Sequence, residues 1–406
     1  MSKEVLWTKP FWAILIANGL LFVSFHCLLP TLPLYIASLG SSAAEIGLIS
    51  GSFGVSAIFI RFFTDDFERQ LGKKKCLYLG IGLSIVATVA YLSFTSFHLL
   101  LLARLIQGLG FGLGTTFAAA LAVEIIPAGR RGEGVGFFGL GSTVSMGIAP
   151  ALGVLLLTDN GAMALFAFAG TACLLALGGT FCCKTEPAVQ AAETIDKPKE
   201  KIPFLSHFFE QGTGLPAFLT MLFGFSYGSV NTFVGLLAEE VQVAGAGLFF
   251  VVGTVFVFIS RTFGGRLFDR FGALWVVLPG VISYLTAVLL LINVHSEFML
   301  LTASVFYGLG AGLIMPSLMT WLFNCVAPSR RSNASATYYN MLDLGTSGGI
   351  MALGAAAGML GYVKMFYFVV AAMLLFLLVL LGASYAAKKQ QERKRKQIGG
   401  EAFADR

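Results

Sequence analysis

Twelve apolar runs, each long enough to cross a bilayer and each bounded by turn residues, follow one another along this chain. They fall near 11–37, 43–64, 76–96, 98–126, 133–157, 162–183, 214–238, 244–266, 273–294, 297–325, 333–360 and 365–387. About 20 apolar residues in helical form span the hydrocarbon core. Lipid offers no hydrogen-bond partner to an open backbone, so each run is expected to be a helix. The charge content agrees: 12% of residues are charged and 57% are hydrophobic, against roughly 25% charged in a soluble domain. The chain therefore reads as an all-α integral membrane protein with twelve transmembrane helices. The polar stretch 184–213 divides it into two six-helix halves, 1–183 and 214–387, and a basic tail occupies 388–406.

Lys and Arg set the orientation. With both termini in the cytoplasm, the charged stretch RFFTDDFERQLGKKK (61–75), Arg130, Arg131, Arg261, Arg266, Arg270, Arg330, Arg331 and the tail all fall on the cytoplasmic side. Arg104 and Lys364 lie elsewhere. The net charge of +6 is thus a topology signal, not a nucleic-acid footprint. The tail either meets anionic lipid heads or is simply solvated. Asn18 and His26 interrupt the first run and no small-x-small cleavage site follows, so that run reads as a retained span rather than a signal peptide. The six cysteines, Cys27, Cys76, Cys173, Cys182, Cys183 and Cys325, form no CxxC pair and read as packing residues.

The halves repeat at an offset of 200 residues: Arg61 and Arg261, Gly72 and Gly272, Gly108 and Gly308, Gly110 and Gly310, Gly112 and Gly312, Arg130 and Arg330, Arg131 and Arg331. Parallel repeats of this kind relate by an axis along the membrane normal, and a ligand site is expected where they meet, near the midplane.

Residues 261–272, RTFGGRLFDRFG, resemble the loop motif of the major facilitator superfamily (MFS), which joins spans 2 and 3 and recurs between spans 8 and 9. Arg104 in LLARLIQGLGFGLG is similar to the span-4 motif of proton-coupled members. GIAPALG, with Gly147, Pro150 and Gly153, is similar to the span-5 motif of drug:proton antiporters, although Ala149 stands where Gly is usual. ATYYNMLDLGTSGG (336–349) resembles the span-11 region of an efflux group that includes metallophore exporters of the staphylopine type. The resemblance implies the MFS fold and a secondary transporter driven by protons, in the cell membrane, acting as a monomer on a small organic molecule and exporting it. A same-fold importer of a sugar or organic anion is the runner-up.

Asp343 lies eleven residues into its span, about 16 Å deep in a core of about 30 Å. An acid there is a functional candidate by default. It suits a proton carrier or the partner of a cationic substrate; the plainer alternative is an Asp held by Thr337, Tyr339 or Thr346. Arg104, seven residues into span 4, needs a cavity or a partner; the resemblance implies proton coupling, and the alternative is bonding to neighbouring backbone carbonyls. Asn18, His26, Tyr227, Asn231, Trp321, Tyr338 and Asn340 are polar or amphipathic groups within spans that either line a cavity or bond between helices. The glycines of span 5 supply a hinge, a contact between halves or tight packing.

By resemblance the gate motif comprises Arg61, Asp65, Arg69 and Gly72 in the first half and Arg261, Gly265, Arg266, Asp269 and Gly272 in the second. Asp65 stands for the Gly and Arg69 for the Asp of the second half, so the first copy departs from the motif. Glu124 at the end of span 4 is expected to pair with Arg69 or Lys73 and latch the cytoplasmic side, with Asp65 as a second acceptor. No G-x-S-x-G, H-E-x-x-H or Walker pattern is present, and no residues have metal-ligand spacing, so neither enzyme, cofactor nor metal site is expected.

Overall fold

The computed structural model describes residues 6–127, 130–181, 209–327 and 330–404. Among them every regular element is an α-helix. The first half holds α1 (Lys9–Ser38), α2 (Ala43–Arg61), a short α3 (Thr64–Leu71), α4 (Lys73–Ser93), α5 (Phe97–Ile125) and α6 (Arg131–Phe181). The second holds α7 (Gly214–Glu240), α8 (Ala246–Phe271), α9 (Ala273–Ile292), α10 (Glu297–Asn324), α11 (Arg331–Leu360) and α12 (Tyr362–Ala404). Among the described residues, ten helices are long and apolar enough to cross a membrane. Of these α6 crosses twice, because Gly161 (φ 81°, ψ 175°) breaks its 51 residues into two spans. The helix α11 is not among the ten, since RSNASATYYNMLDLGTSGG at its start is polar. With it the crossings number twelve. The backbone of α12 stays helical through the KKQQERKRK stretch as far as Ala404. The loop expected over 184–213 lies mostly outside the described residues.

The ends of the helices carry local causes. Ser42 and Glu45 form a capping box at the start of α2: the Ser42 N–H donates to Glu45 Oε2 at 2.8 Å, and the Glu45 N–H donates to Ser42 Oγ at 3.3 Å. Pro10 sits in the first turn of α1, where a missing N–H costs nothing. Four glycines turn the chain at positive φ in two pairs: Gly72 (77°) with Gly272 (84°), and Gly161 (81°) with Gly361 (83°). The members of each pair are 200 residues apart, so the repeat read from charges and glycines extends to the backbone. Burial repeats as well. Leu165, Phe166, Ala169, Cys173 and Ala176 are buried in the last span of the first half, and Met365, Phe366, Val369, Met373 and Phe376 occupy the same register in α12.

Call the end that carries the α2–α4 connection and both termini proximal, and the other distal. The halves approach closely in the distal part and the middle. A Cβ on Gly47 of α2 would lie 2.7 Å from the Gly354 Cα of α11, and one on Gly51 would lie 2.8 Å from the Ser347 oxygen. Gly235 of α7 faces Leu34 of α1, and Gly247 of α8 faces Val154 of α6. Thr254 of α8 donates its hydroxyl to the Gly147 carbonyl of α6. Without a hydrophobic drive between helices in lipid, small residues that allow such approach hold the halves together.

Candidate functional site

The α2–α11 contact leads straight to the acid. Asp343 of α11 accepts a 2.6 Å hydrogen bond from Arg61 Nη1 at the proximal end of α2, so the ion pair joins the two halves. Both side chains are half-buried, at 21% and 28% exposure. Sequence reasoning takes Asp343 as a solitary acid at mid-depth; the structure gives it a guanidinium. The pair spans the α2–α11 contact between the halves. Thr337 is engaged elsewhere, and Thr346 donates to the Gly224 carbonyl of α7 at 3.2 Å, so neither holds the acid.

Arg261, the repeat counterpart of Arg61, occupies the matching level of α8 but makes no ion pair among the described residues, and its Nε is buried without a partner. Tyr338, Tyr227 and Tyr339 lie within electrostatic range of it. Tyr338 is buried and donates to the Met315 carbonyl at 3.3 Å, with its ring edge-on to Tyr339 at 5.3 Å. Tyr339 beside it is exposed, with 44% of its surface accessible. Asn340 is buried beside them in α11, and Trp321 is half-buried against the core.

Arg104 is buried to 1% exposure. Its Nη1 donates to Gln107 Oε1 at 2.7 Å, which also accepts from the Tyr91 hydroxyl at 2.8 Å. Its guanidinium lies 4.7 Å from the Phe53 ring, and its Nε has no partner. It makes no ion pair among the described residues, so a ring face and a neutral amide hold the charge. The expected alternative of backbone carbonyls is not what it bonds. Gln107 sits one helical turn further on, the one signal by which the sequence offered this partner. Nearby in α1, His26 packs on Phe22 and Phe25 with ring centroids 5.7 and 5.0 Å away. His26 Nδ1 and Asn18 Oδ1 are buried without partners.

In the second half Asn231 Nδ2 donates to the Tyr307 hydroxyl and to the Tyr227 carbonyl, both at 2.7 Å, and Tyr227 stacks on Tyr307 at 6.1 Å. Ser304, the counterpart of Arg104, donates to the Phe249 carbonyl of α8. On α6, Gly147 meets α8 of the other half, whereas Gly153 packs on the Cys27 backbone of α1, and Pro150 is buried between them.

At the proximal end Glu124 pairs with Lys73, which also lies 3.6 Å from Glu68. The partnership of Glu124 with Arg69 is not formed: Arg69 and Asp65 are exposed on α3 and make no ion pair among the described residues. The cause is reach. Gly72 turns the chain and sets Lys73 at the first position of α4, while Arg69 stays on α3. Arg266 is exposed, and the side chains of Gly265 and Asp269 lie outside the described residues. A cluster that sequence reasoning missed ties the segment before α7 to α11. Glu210, 1% exposed, lies 2.7 Å from Arg330 Nη2; it accepts from Asn333 Nδ2 at 3.3 Å, and its N–H donates to Thr337 Oγ1 at 2.8 Å.

The described residues thus form a pseudo-twofold bundle of twelve spans, with ionisable and aromatic groups buried within both halves. The comparisons with known proteins agree. The staphylopine export protein of Staphylococcus aureus (strain Mu50 / ATCC 700699) is 24% identical over 383 residues, covering 90% of this chain and 93% of that protein. The quinolone resistance protein NorA of the same strain is 20% identical over 346 residues, covering 83% and 87%. The crystal structure of the nucleoside transporter NupG superposes with a TM-score of 0.74 at 15% identity, covering 92% of this chain and 99% of that one, which shows the shared fold. A sequence profile of the family matches residues 14–220 and 216–404. The chain belongs to the Major Facilitator Superfamily and is a multi-pass membrane transporter, not an enzyme.

Proposed function

We propose that this transporter is a proton-coupled exporter of a small organic molecule, working by alternating access as a monomer in the cell membrane with both termini in the cytoplasm. The observation that carries the reading is the Arg61–Asp343 pair, which bridges the two halves beside the central space. In a rocking mechanism the halves turn about a fixed central site. A charged pair across the moving interface is made in one state and broken in the other, and whatever binds in its place offsets the cost of breaking it. The contacts of Gly47, Gly235 and Gly247 hold the halves together on the distal side in this state. The efflux-type relatives support the export direction. Arg104, buried without a carboxylate, is the second member of the coupling machinery.

The test uses inverted membrane vesicles energised to an acidic lumen and followed with a pH-sensitive dye. Fractions of spent medium from cells that carry the gene supply the compound. An exporter exchanges it for protons and alkalinises the lumen; an importer gives no response unless the compound is loaded inside. Vesicles that respond only from within overturn the export reading.

A further inference from the structure

We propose that Phe53 of α2 and Tyr91 of α4 are positioning residues for Arg104: with Gln107 they form a socket that fixes the guanidinium without neutralising it. The inference rests on the coupling role given above to Arg104 and adds how the fold keeps that charge available. Three helices supply the socket. Within α5, Arg104 Nη1 donates to Gln107 Oε1 at 2.7 Å. The Tyr91 hydroxyl reaches the same oxygen from α4, donating at 2.8 Å. From α2, the centre of the Phe53 ring lies 4.7 Å from the guanidinium carbon. That ring is itself fixed: it stacks on Phe25 of α1 at 4.5 Å and 14°, and packs on Phe111 at 5.2 Å. All four residues of the socket are buried, and Arg104 Nε is left without a partner.

The repeat shows the socket changing as a set. Phe53, Tyr91, Arg104 and Gln107 of the first half correspond to Gly253, Leu291, Ser304 and Tyr307 of the second. Where the arginine is missing, so are the ring, the hydroxyl and the amide that hold it. A Cβ on Gly253 would lie 3.0 Å from Ser304 Oγ and 3.2 Å from Tyr307 Cδ1, so the second half gives that place to a tyrosine ring. The glycines one turn further along the same span, Gly108, Gly110 and Gly112, are kept as Gly308, Gly310 and Gly312, so the change is confined to the arginine and its holders. A buried guanidinium is costly, and a carboxylate would settle it into a lasting pair. A ring face attracts a cation through its quadrupole without cancelling the charge, and a neutral amide oxygen does the same through its dipole. The amide serves in one orientation, since its nitrogen would face Arg104 donor to donor; the Tyr91 hydroxyl on the same oxygen keeps it turned that way. The charge of Arg104 thus stays in place and uncompensated, ready for a negative or lone-pair atom when alternating access admits one.

The test measures exchange in inverted vesicles, driven by the fraction of spent medium that alkalinises the lumen with wild type. Phe53 is replaced by mono-, di- and trifluorophenylalanine, which drain the ring face and weaken its hold on a cation while nearly keeping its shape. Exchange should fall stepwise, to about tenfold below wild type with three fluorines. Tyr91→Phe should lower it about fivefold, the scale of one hydrogen bond. Phe53→Leu should lower it about thirtyfold alone and no further beside Arg104→Ser, because the loss runs through the guanidinium. Should Phe53→Leu fail to reach the membrane, the fluorine series decides, since it leaves the packing in place. Level exchange across that series, undiminished exchange by Tyr91→Phe, or a Phe53→Leu loss of the same factor with and without Arg104 each overturn the socket alone. Arg104→Ser that exchanges like wild type overturns the coupling role on which the socket rests. If no fraction drives exchange with wild type, the transport reading fails, and the Phe53–Arg104 double-mutant cycle read as unfolding temperatures in detergent decides the socket: coupled losses support it and additive losses overturn it.

Discussion

The first half spends its charges and the second half keeps its tyrosines. At the level where Arg61 closes on Asp343, Arg261 makes no ion pair among the described residues and lies within electrostatic range of Tyr227, Tyr338 and Tyr339. Where the first half buries Arg104 against Gln107 and Phe53, the second has Ser304 donating to a backbone carbonyl. The helix itself differs: α2 stops at Arg61 and α3 begins again at Thr64, while α8 runs unbroken through the matching residues to Phe271. A duplicated scaffold thus holds two unlike chemistries, and the asymmetry lies in the side chains facing the centre rather than in the turns or the packing stripes.

Making the first half imitate the second gives the largest effect. Arg104→Ser installs the residue of the other half and leaves Gln107 and Tyr91 bonded to each other, so the protein should still insert. Exchange of compound for protons in inverted vesicles should fall by about a hundredfold, the scale of a lost charge-assisted hydrogen bond. Near-normal exchange would reduce Arg104 to a packing residue. The converse substitution, Thr143→Asp, sets a carboxylate where symmetry places it opposite Arg261. Export should drop about tenfold, equivalent to about 1.4 kcal/mol, and the unfolding temperature should rise as the halves gain a second clasp. An unchanged rate would mean that Arg261 does not need to be free.

Packing offers a smaller contrast at one repeat position. A Cβ on Gly47 meets the Gly354 backbone at 2.7 Å, whereas one on Gly247 meets the Val154 side chain at 3.1 Å. Gly47→Ala should therefore destabilise by about 1–3 kcal/mol and Gly247→Ala by less, measured by unfolding in detergent; equal losses would show that the two contacts are equivalent. The smallest effect belongs to the proximal pair that the second half lacks, where Ala273 stands for Lys73 and Asn324 for Glu124. Lys73→Ala should cost about 0.2–1 kcal/mol, as exposed pairs do. A large loss of transport would instead make Lys73–Glu124 the inner latch.

The spans were readable from the sequence because lipid permits one solution for a long apolar run; most ends agree within three residues, as fraying allows, while α8 runs on past its apolar run to Phe271 and α12 to Ala404. The break at Gly161 was readable too, as the turn between the fifth and sixth runs. The candidate site was readable one residue at a time and not as a set. The depth of Asp343 followed from counting along one helix, but its partner lies 282 residues away. No periodicity within α2 or α11 tells which residues face each other across halves. For the same reason Glu124 could be matched to the charged turn but not to Lys73 within it: the choice depends on how Gly72 aims the next helix. Glu210 escaped notice because it lies in the polar stretch, where an acid looks like one more solvated charge; its burial against Arg330 and Asn333 comes from tertiary contact.

The paired turns at 72 and 272 and at 161 and 361 have a chemical corollary. At φ near +80° the backbone has the handedness natural to a D-residue, and an L-residue's Cβ at Gly72, Gly161 or Gly272 would meet nothing else within 4 Å, so its strain would lie in the backbone alone. A semisynthetic chain with D-alanine at those three positions should fold and transport, while L-alanine at the same places meets strain. Backbone chirality, not cargo or coupling, is what holds glycine at these turns, so they preserve the mark of the duplication after the facing side chains have diverged.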